Sequence, residues 1–335
     1  MGISNGLKKT LFLIIFLIII ISAFLFAGAK FMGTAANIYE FENPSKTEII
    51  SQFKKILLAS DNELRKSPNG ETNILLLGIA GPGHNGENLT DTIIILTISS
   101  NQKKITINSI PRDLYVELPE SQYWGKINAI YAYRAKNNPR DGIKILSQEI
   151  KKITGIPINY YVIANFEGFK KIIDVVGGID YTLEEDLIDP AFPNNTFGYD
   201  PISLKAGVYH LDGELALKLS RSRHTIKGDF SRIERQHKII FLLKEKIEKN
   251  NLWDNFFKVT DILNIIGENV KTDISLPQLQ KLSAIAKNIK ETKSKIPNSN
   301  METGLLSAAN INGADVLLPK DGTYDELRMF YDENR

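Results

Sequence analysis

Asn73-Ile74-Leu75-Leu76-Leu77-Gly78 is a short, continuous apolar run that ends at a glycine. Such a run is typical of a strand that is buried on both faces of a sheet. Two more β-rich runs follow at residues 92–99 and 104–110, and the turn-like residues 100–102 between them predict a hairpin. We therefore expect the folded domain to begin at Asn73 with three strands.

Helical and strand patterns alternate downstream of these runs. The predicted elements are a helix at 141–153 ended by Gly155, a strand at 159–164, a helix at 166–176, a strand at 179–183, helices at 211–221 and 230–249, a hairpin at 304–318 and a short helix after Gly322. This alternation predicts an α/β fold, specifically an α/β/α sandwich with a central mixed β-sheet.

The N-terminal region has the pattern of a membrane anchor. Residues 11–29 contain no charge, and a helix of that length matches a hydrocarbon layer of about 30 Å. Lys8 and Lys9 precede the run, so the N-terminus is expected inside the cell. The predicted order is a cytoplasmic tail at 1–10, a transmembrane helix at 11–29, an extracytoplasmic stalk at 30–72 and a domain at 73–335. The alternative is a cleaved signal peptide, whose apolar core is usually only about 7 to 15 residues long.

The composition excludes several classes of function. The 335 residues are 43% hydrophobic and 24% charged, which is ordinary for a globular protein, and the net charge of +2 gives no support to a nucleic-acid coat. The absence of cysteine excludes disulfides, thiolate metal sites and cysteine nucleophiles. The four histidines lack metal-ligand spacing and are expected at the surface or behind a site, and no nucleotide-binding loop or nucleophile elbow is present.

Basic residues concentrate between Lys218 and Lys238. This stretch contains seven Lys or Arg residues and only two acidic residues. Arg221 and Arg223 precede the predicted helix, and Arg232 lies within it. A guanidinium group can donate two parallel hydrogen bonds to phosphate oxygens, and a helix N-terminus favours anions. This run therefore indicates a phosphate site. The alternative is a solvated outer face of a core helix.

Two acidic positions adjoin predicted strands. Arg112 and Asp113 follow the strand that ends at Ile110, where active-site residues of open α/β sheets collect, although a turn with a surface ion pair explains them equally. Asp91 lies just before a buried strand. It can be interpreted either as a turn or capping residue or as a Mg²⁺ ligand.

Taken together, seven segments closely resemble the LytR-CpsA-Psr family in order and spacing. The segments are 73–78, 90–92, 109–113, 126–128, 174–179, 221–223 and 228–236, and the match is strongest over 73–246. The resemblance implies an enzyme that moves a glycopolymer from a polyprenyl-pyrophosphate carrier onto peptidoglycan, forming a phosphodiester. It also implies an apolar pocket for the prenyl chain.

The resemblance further implies roles for individual residues. The pyrophosphate would be bound by Arg112, Arg221, Arg223, Arg232 and Gln236. Asp91 would hold Mg²⁺. Arg112, Asp113 and Asp229 are the predicted catalytic residues, with Asp113 or Asp229 accepting the proton of the attacking hydroxyl. The family usually has a second acidic metal ligand shortly after the first strand, where this chain offers Asn85 instead.

Alternatives to the transferase are a polyprenyl-pyrophosphate hydrolase and a non-catalytic envelope-binding or regulatory protein. The expected partners are the lipid-linked glycan, peptidoglycan and the membrane, with no nucleic acid. The expected location is the cell membrane, with a single span, a cytoplasmic N-terminus and an extracytoplasmic catalytic domain.

Overall fold

The computed structural model describes residues 63–119, 121–135, 139–194, 198–222, 229–249, 269–275, 278, 281–282, 285, 289–297 and 304–333. The predicted transmembrane helix at 11–29 lies outside these residues, as does the stalk up to residue 62. Within the part of the chain from Glu63 onward that is described, no helix has the length and apolar character needed to cross a membrane.

The described strands and helices follow the predicted alternation. The strands are β1 (Thr72–Ile79), β2 (Thr90–Ser99), β3 (Lys104–Ser109), β4 (Tyr115–Glu117), β5 (Trp124–Lys126), β6 (Tyr160–Asn165), β7 (Ile179–Leu183), β8 (Leu187–Asp189), β9 (Ile202–Leu204), β10 (Gly207–Leu211), β11 (Val270–Thr272), β12 (Glu291–Lys295), β13 (Leu306–Ile311) and β14 (Ala314–Pro319). The helices are α1 (Asn128–Ala135), α2 (Pro139–Thr154), α3 (Phe166–Val175), α4 (Gly213–Arg221), α5 (Asp229–Lys249) and α6 (Asp325–Asp332).

Six strands form one mixed sheet in the order β11-β6-β1-β2-β3-β12. β1 is parallel to β6 and antiparallel to β2, and β2 and β3 form the predicted antiparallel hairpin. β1, β3 and β6 therefore end at the same edge of the sheet, where β2 begins. We call this the site edge.

The apolar run of β1 serves two cores because successive side chains point to opposite faces. Leu75 and Leu77 pack with residues of α1 and α2 such as Tyr131 and Leu146. Ile74 packs on the other face with Ile274, Leu282 and Ile289, among others. Both faces of the strand are thus buried, which explains why the sequence does not alternate, and the predicted mixed sheet with helices is confirmed.

A third core joins α3, α4 and α5 to the small sheet of β7 and β10. Ile173, Leu219 and Ile239 are fully buried in it. From this core α5 reaches the site edge, where Gln236 meets Thr92 and His237 meets Ser109. The predicted strand at 179–183 is therefore present, but it belongs to this module and not to the main sheet.

Several strands and one helix of the structure were not predicted from the sequence. β12 reads Glu-Thr-Lys-Ser-Lys, which is a polar edge strand without an apolar signal, and the β4–β5 hairpin and α1 were also not predicted. Part of the expected stalk packs on the domain. Arg65 forms an ion pair of 2.7 Å with Asp273 and donates its backbone N–H to the Tyr160 hydroxyl.

Candidate active site

The site edge brings Asp91 and Arg112 together. Asp91 is the second residue of β2, and Arg112 lies three residues beyond the end of the neighbouring β3. Arg112 Nη1 donates a hydrogen bond to Asp91 Oδ1. The two side chains are 12% and 27% exposed, so the pair is partly withdrawn from solvent but reachable from it. Arg112 and Asp113 do lie in a turn, as the alternative interpretation expected, but their side chains are only 12% and 14% exposed, so their ion pair is not a surface pair.

Asp113 and Lys126 extend this pair into a chain of alternating charges. Arg112 Nε lies 3.6 Å from Asp113 Oδ2, and Lys126 Nζ lies 2.7 Å from Asp113 Oδ1. Lys126 is the last residue of β5, so the hairpin ends at the site. Both carboxylate oxygens of Asp113 thus face cations, which fixes the orientation of this predicted proton acceptor.

Arg232 approaches Asp91 from the first turn of α5. Its side chain is nearly buried, with 3% of the residue exposed, and its Nη2 lies 3.5 Å from the main-chain oxygen of Asp91. A small pocket opens here. It is lined by Asp91, Thr92, Ile93, Ile94, Ser109, Ile110, Arg112, Arg232, Ile233 and Gln236. Two arginines and one carboxylate therefore surround a pocket whose remaining wall combines four isoleucines with Thr92, Ser109 and Gln236.

Arg221 is held by two aromatic rings. Its guanidinium carbon lies 4.8 Å from the Phe166 ring centroid and 5.1 Å from that of Phe192, both within cation–π range. Burial lowers the pKa of Arg221, the negative charge of Asp91 opposes this shift, and the positive charge of Arg112 adds to it. Arginine still keeps its charge at neutral pH. Arg221 is thus a fixed cation in the electrostatic field of the Asp91–Arg112 pair.

The end of α4, from which Arg221 projects, is fastened by side chains of α5. Arg235 donates from Nε to Leu219 O at 3.0 Å and from Nη2 to Ser222 O. Gln236 donates from Nε2 to Ser220 O at 3.0 Å. These bonds satisfy carbonyl groups that a helix C-terminus leaves without intrahelical partners. Arg235 therefore supports the site from behind.

A buried side-chain pair completes this support. Ser222 Oγ donates to Asp189 Oδ2 at 2.8 Å, and the two residues are 0% and 2% exposed. We call Asp189, Arg235 and Gln236 the α4 collar. Asp189 was not among the predicted site residues. It closes the short strand Leu187-Ile188-Asp189, which carries no catalytic motif that a sequence search would detect.

The basic run of the sequence thus divides into two groups. Lys218 pairs with Asp200 at 2.9 Å, and Lys238 pairs with Glu184 at 3.0 Å, so these two follow the solvated-face interpretation. Arg232 and Arg235 are 3% and 7% exposed and contradict it.

The remaining predicted site residues are only partly described. Arg223 lies outside the described residues, and Asp229 begins α5 but its side chain is not described. Asn85 is exposed in the loop between β1 and β2, which also places His84 edge-on against the Phe166 ring at 5.6 Å. Within the described ranges, no three His, Cys, Asp or Glu side chains are grouped to hold a metal ion.

The fold and site define an α/β protein with a partly buried arginine cluster at the strand ends of a mixed sheet. The model of the LytR_cpsA_psr family matches residues 29–329, and the chain belongs to this family. It is 32% identical over 279 residues to the polyisoprenyl-teichoic acid–peptidoglycan teichoic acid transferase TagU of Enterococcus faecalis, covering 82% of each chain.

Two solved structures are similar in fold. Bacillus subtilis TagV has a TM-score of 0.55 and 27% identity, with 78% of this chain and 96% of that chain covered. A structure of TagT bound to LI-WTA has a TM-score of 0.58 and 22% identity, with 81% and 94% covered.

Proposed function

We propose that this chain is a phosphotransferase that moves a glycopolymer from a polyprenyl-pyrophosphate carrier onto peptidoglycan. The observation that carries the proposal is the convergence of Arg112 and Arg232 on Asp91, with Arg221 fixed in the same electrostatic field. The family membership and the transferase name of the Enterococcus relative support the same conclusion.

The chemistry follows from the charges at the site edge. The acceptor hydroxyl attacks the phosphorus that carries the glycan, the bond from that phosphorus to the bridging oxygen breaks, and polyprenyl phosphate leaves. Phosphoryl transfer depends mainly on positioning and on neutralising charge on the phosphate oxygens. Arg112 exchanges its bond with Asp91 for a phosphate oxygen, while Arg221 and Arg232 supply two further positive charges.

A carboxylate is needed to accept the proton of the attacking hydroxyl. Asp113 is held at the site edge by Lys126 and Arg112, and Asp229 opens α5 three residues before Arg232. Both stay candidates for this role in the proposal, and Arg223 and Gln236 stay candidates for phosphate binding. Replacing Asp113 and Asp229 one at a time by Asn separates them, because only loss of the true acceptor removes the general-base contribution, about 10²–10⁴-fold, from the transfer rate.

Mg²⁺ is also part of the proposal. Mg²⁺ is commonly held by one or two carboxylates together with substrate phosphates and water. Asp91 offers one partly exposed carboxylate beside the arginines, which fits an ion shared with the pyrophosphate. Asp91 would hold the ion, Asn85 would add at most a neutral oxygen, and the bound ion would neutralise charge on the phosphate oxygens.

The decisive experiment supplies the full chain with a labelled polyprenyl-pyrophosphate glycan, with and without peptidoglycan. We expect label to become covalently attached to peptidoglycan, and Arg112→Ala to lower the rate at least a hundredfold. Lys218→Ala, which removes a cation of the same basic run from its surface pair, should leave the rate unchanged. Free phosphorylated glycan formed without peptidoglycan would identify a hydrolase, and binding without turnover a non-catalytic protein.

The proposal includes anchoring in the cell membrane by residues 11–29, with the domain outside the cytoplasm. The uncharged run and the preceding Lys8 and Lys9 support this topology. A reporter that is active only in the cytoplasm, fused after Arg335, should be silent. Full activity of that reporter would contradict both the orientation and the envelope location.

A further inference from the structure

The β4–β5 hairpin leads away from the candidate active site and exposes one face. Its register pairs Tyr115 with Lys126 and Glu117 with Trp124. Directly paired residues of antiparallel strands point to the same side, so these four side chains share a face. Val116 points the other way and is fully buried. The hairpin is thus anchored by one face and open on the other.

Aromatic rings dominate this open face. Tyr115 and Trp124 are stacked, with ring centroids 5.7 Å apart and an interplanar angle of 29°. Trp124 is 55% exposed, and Tyr133 on the following α1 is 58% exposed. We call Tyr115, Trp124 and Tyr133 the aromatic platform.

The helix and the hairpin are tied together beside the platform. The guanidinium carbon of Arg134 lies 5.2 Å from the Tyr133 ring centroid, and its Nη2 donates to Pro119 O in the hairpin turn at 3.4 Å. Arg134 therefore connects the Tyr133 ring to the hairpin that carries Tyr115 and Trp124. Single exposed apolar side chains are normal on proteins, but a connected group of large exposed rings marks an interaction surface.

We propose that the aromatic platform binds the glycan strand of the peptidoglycan acceptor. A pyranose ring has an apolar C–H face, which stacks on an aromatic ring, and a rim of hydroxyl groups. Every member of the platform is a Tyr or Trp, which combines a large apolar face with a hydrogen-bonding tip. This inference rests on the proposed function, because it names the surface that presents the acceptor to that site.

The position of the platform supports a glycan that runs into the active site. Trp124 and Lys126 are two residues apart on an extended strand, or about 6.6 Å. Lys126 Nζ is 2.7 Å from Asp113, which in turn contacts Arg112. A sugar stacked on Trp124 therefore places the neighbouring sugar next to a candidate proton acceptor.

The charges around the platform argue against a membrane surface as its partner. Surfaces that lie on membranes combine aromatic residues with Lys and Arg, which attract anionic lipid. Here Lys126 is paired with Asp113, and the exposed Glu117 offsets Arg134, so the charges of these four described residues cancel. A glycan of low charge density fits such a surface better than anionic lipid headgroups do.

Tryptophan fluorescence provides a direct test, because the chain contains only Trp124 and Trp253. In the full chain carrying Trp253→Phe, kept in neutral detergent, emission reports on the platform alone. We expect soluble uncrosslinked peptidoglycan strands to change this emission saturably. Affinity, measured by calorimetry, should fall at least fivefold in Trp124→Ala and less in Trp124→Phe. Val208→Ala, at a residue 75% exposed on β10, should bind as wild type.

The transfer assay separates this inference from the proposed function. Trp124→Ala should raise the KM for peptidoglycan at least fivefold and leave kcat and donor binding unchanged. Transfer with an unchanged KM would overturn the platform and leave the transferase intact. Glycan binding through Trp124 without any transfer would uphold the platform and reject the transferase. Quenching of Trp124 by brominated lipids in vesicles, in the absence of glycan, would assign the platform to the membrane and overturn the inference.

Discussion

Ser222→Ala tests whether the buried Ser222–Asp189 pair holds the end of α4, and with it Arg221, in place. The substitution removes one hydroxyl that donates to a carboxylate at 2.8 Å where neither residue has more than 2% exposure. It leaves the backbone oxygen of Ser222, and therefore its bond from Arg235, intact. The change is thus confined to one hydrogen bond in a closed environment.

The expected loss is large for a single hydroxyl. A hydrogen bond to a charged group contributes about 1.5–3 kcal/mol, and a buried acceptor that loses its donor incurs a desolvation penalty of the same order. We therefore expect Ser222→Ala to lower the free energy of unfolding by about 1.5–3 kcal/mol. Each kcal/mol corresponds to roughly 2–4 °C in Tm for a domain of about 200 residues.

Ser220 supplies a matched control in the same helix. It is also buried, but its hydroxyl donates to Leu217 O of its own helix at 2.8 Å, a bond that contributes little to helix stability. Ser220→Ala should therefore change the free energy of unfolding by less than about 0.5 kcal/mol. Urea unfolding of both variants measures the difference in the free energy of unfolding. Thermal unfolding measures the corresponding difference in Tm.

The functional consequence is a second readout. Because Arg221 lies between the two serines, loosening the end of α4 should weaken inorganic pyrophosphate binding in Ser222→Ala and not in Ser220→Ala. Calorimetry on the full chain measures it. Equal stability of the two variants, or pyrophosphate binding that is unchanged in Ser222→Ala, would refute the role of the α4 collar.

Four further predictions follow from individual residues. Arg223→Lys should weaken binding of a short-chain prenyl pyrophosphate nearly as much as Arg223→Ala, by about ten- to a hundredfold, because an ammonium loses the planar fork; equal affinity in a binding titration would contradict this. Asn85→Asp should tighten Mg²⁺ binding in calorimetry by adding a charged ligand, and tight binding that survives Asp91→Ala would place the metal elsewhere. Burial lowers the pKa of His237, so its folded state disfavours the proton and stability should fall as pH drops below about 6.5; His237→Gln should reduce this fall in Tm between pH 7 and pH 5.5. Burial raises the pKa of Glu149, so the ionised group destabilises the fold above its unfolded pKa; Glu149→Gln should raise Tm at pH 7 and leave it unchanged at pH 4.

The sequence predicts most strongly those elements whose own residues are apolar in a regular pattern. β1 and β2 carry continuous apolar runs, β3 alternates isoleucine with polar residues, and α2 has apolar residues at helical spacing, so their positions could be predicted within a few residues. β12 could not be predicted. It is polar along its length and forms only because β3 offers it a free edge at residues 104–108.

The candidate site was predictable where it depends on strand ends and was hidden where it depends on tertiary contacts. Arg112 follows a strand that is antiparallel to the strand of Asp91, so their proximity follows from the hairpin alone. The sequence predicted a phosphate contact for Arg232 and gave no role to Arg235, which lies three residues further along the same helix. Only the position of the α4 terminus directs Arg235 to the carbonyl groups of Leu219 and Ser222 and leaves Arg232 beside Asp91.

Gln236 is placed to serve both the support of α4 and the proposed phosphate binding. Its Oε1 lies 3.4 Å from Thr92 Oγ1, and one Nε2 hydrogen goes to Ser220 O at 3.0 Å. An amide nitrogen has two hydrogens, so the second one is left to meet an oxygen of a ligand in the pocket that Gln236 lines. The phosphate contact implied by the family resemblance therefore requires no break in the α4 collar. The bond to Ser220 already fixes the amide group, so a bound phosphate would meet a preorganised donor. Binding would then cost little side-chain conformational entropy at Gln236.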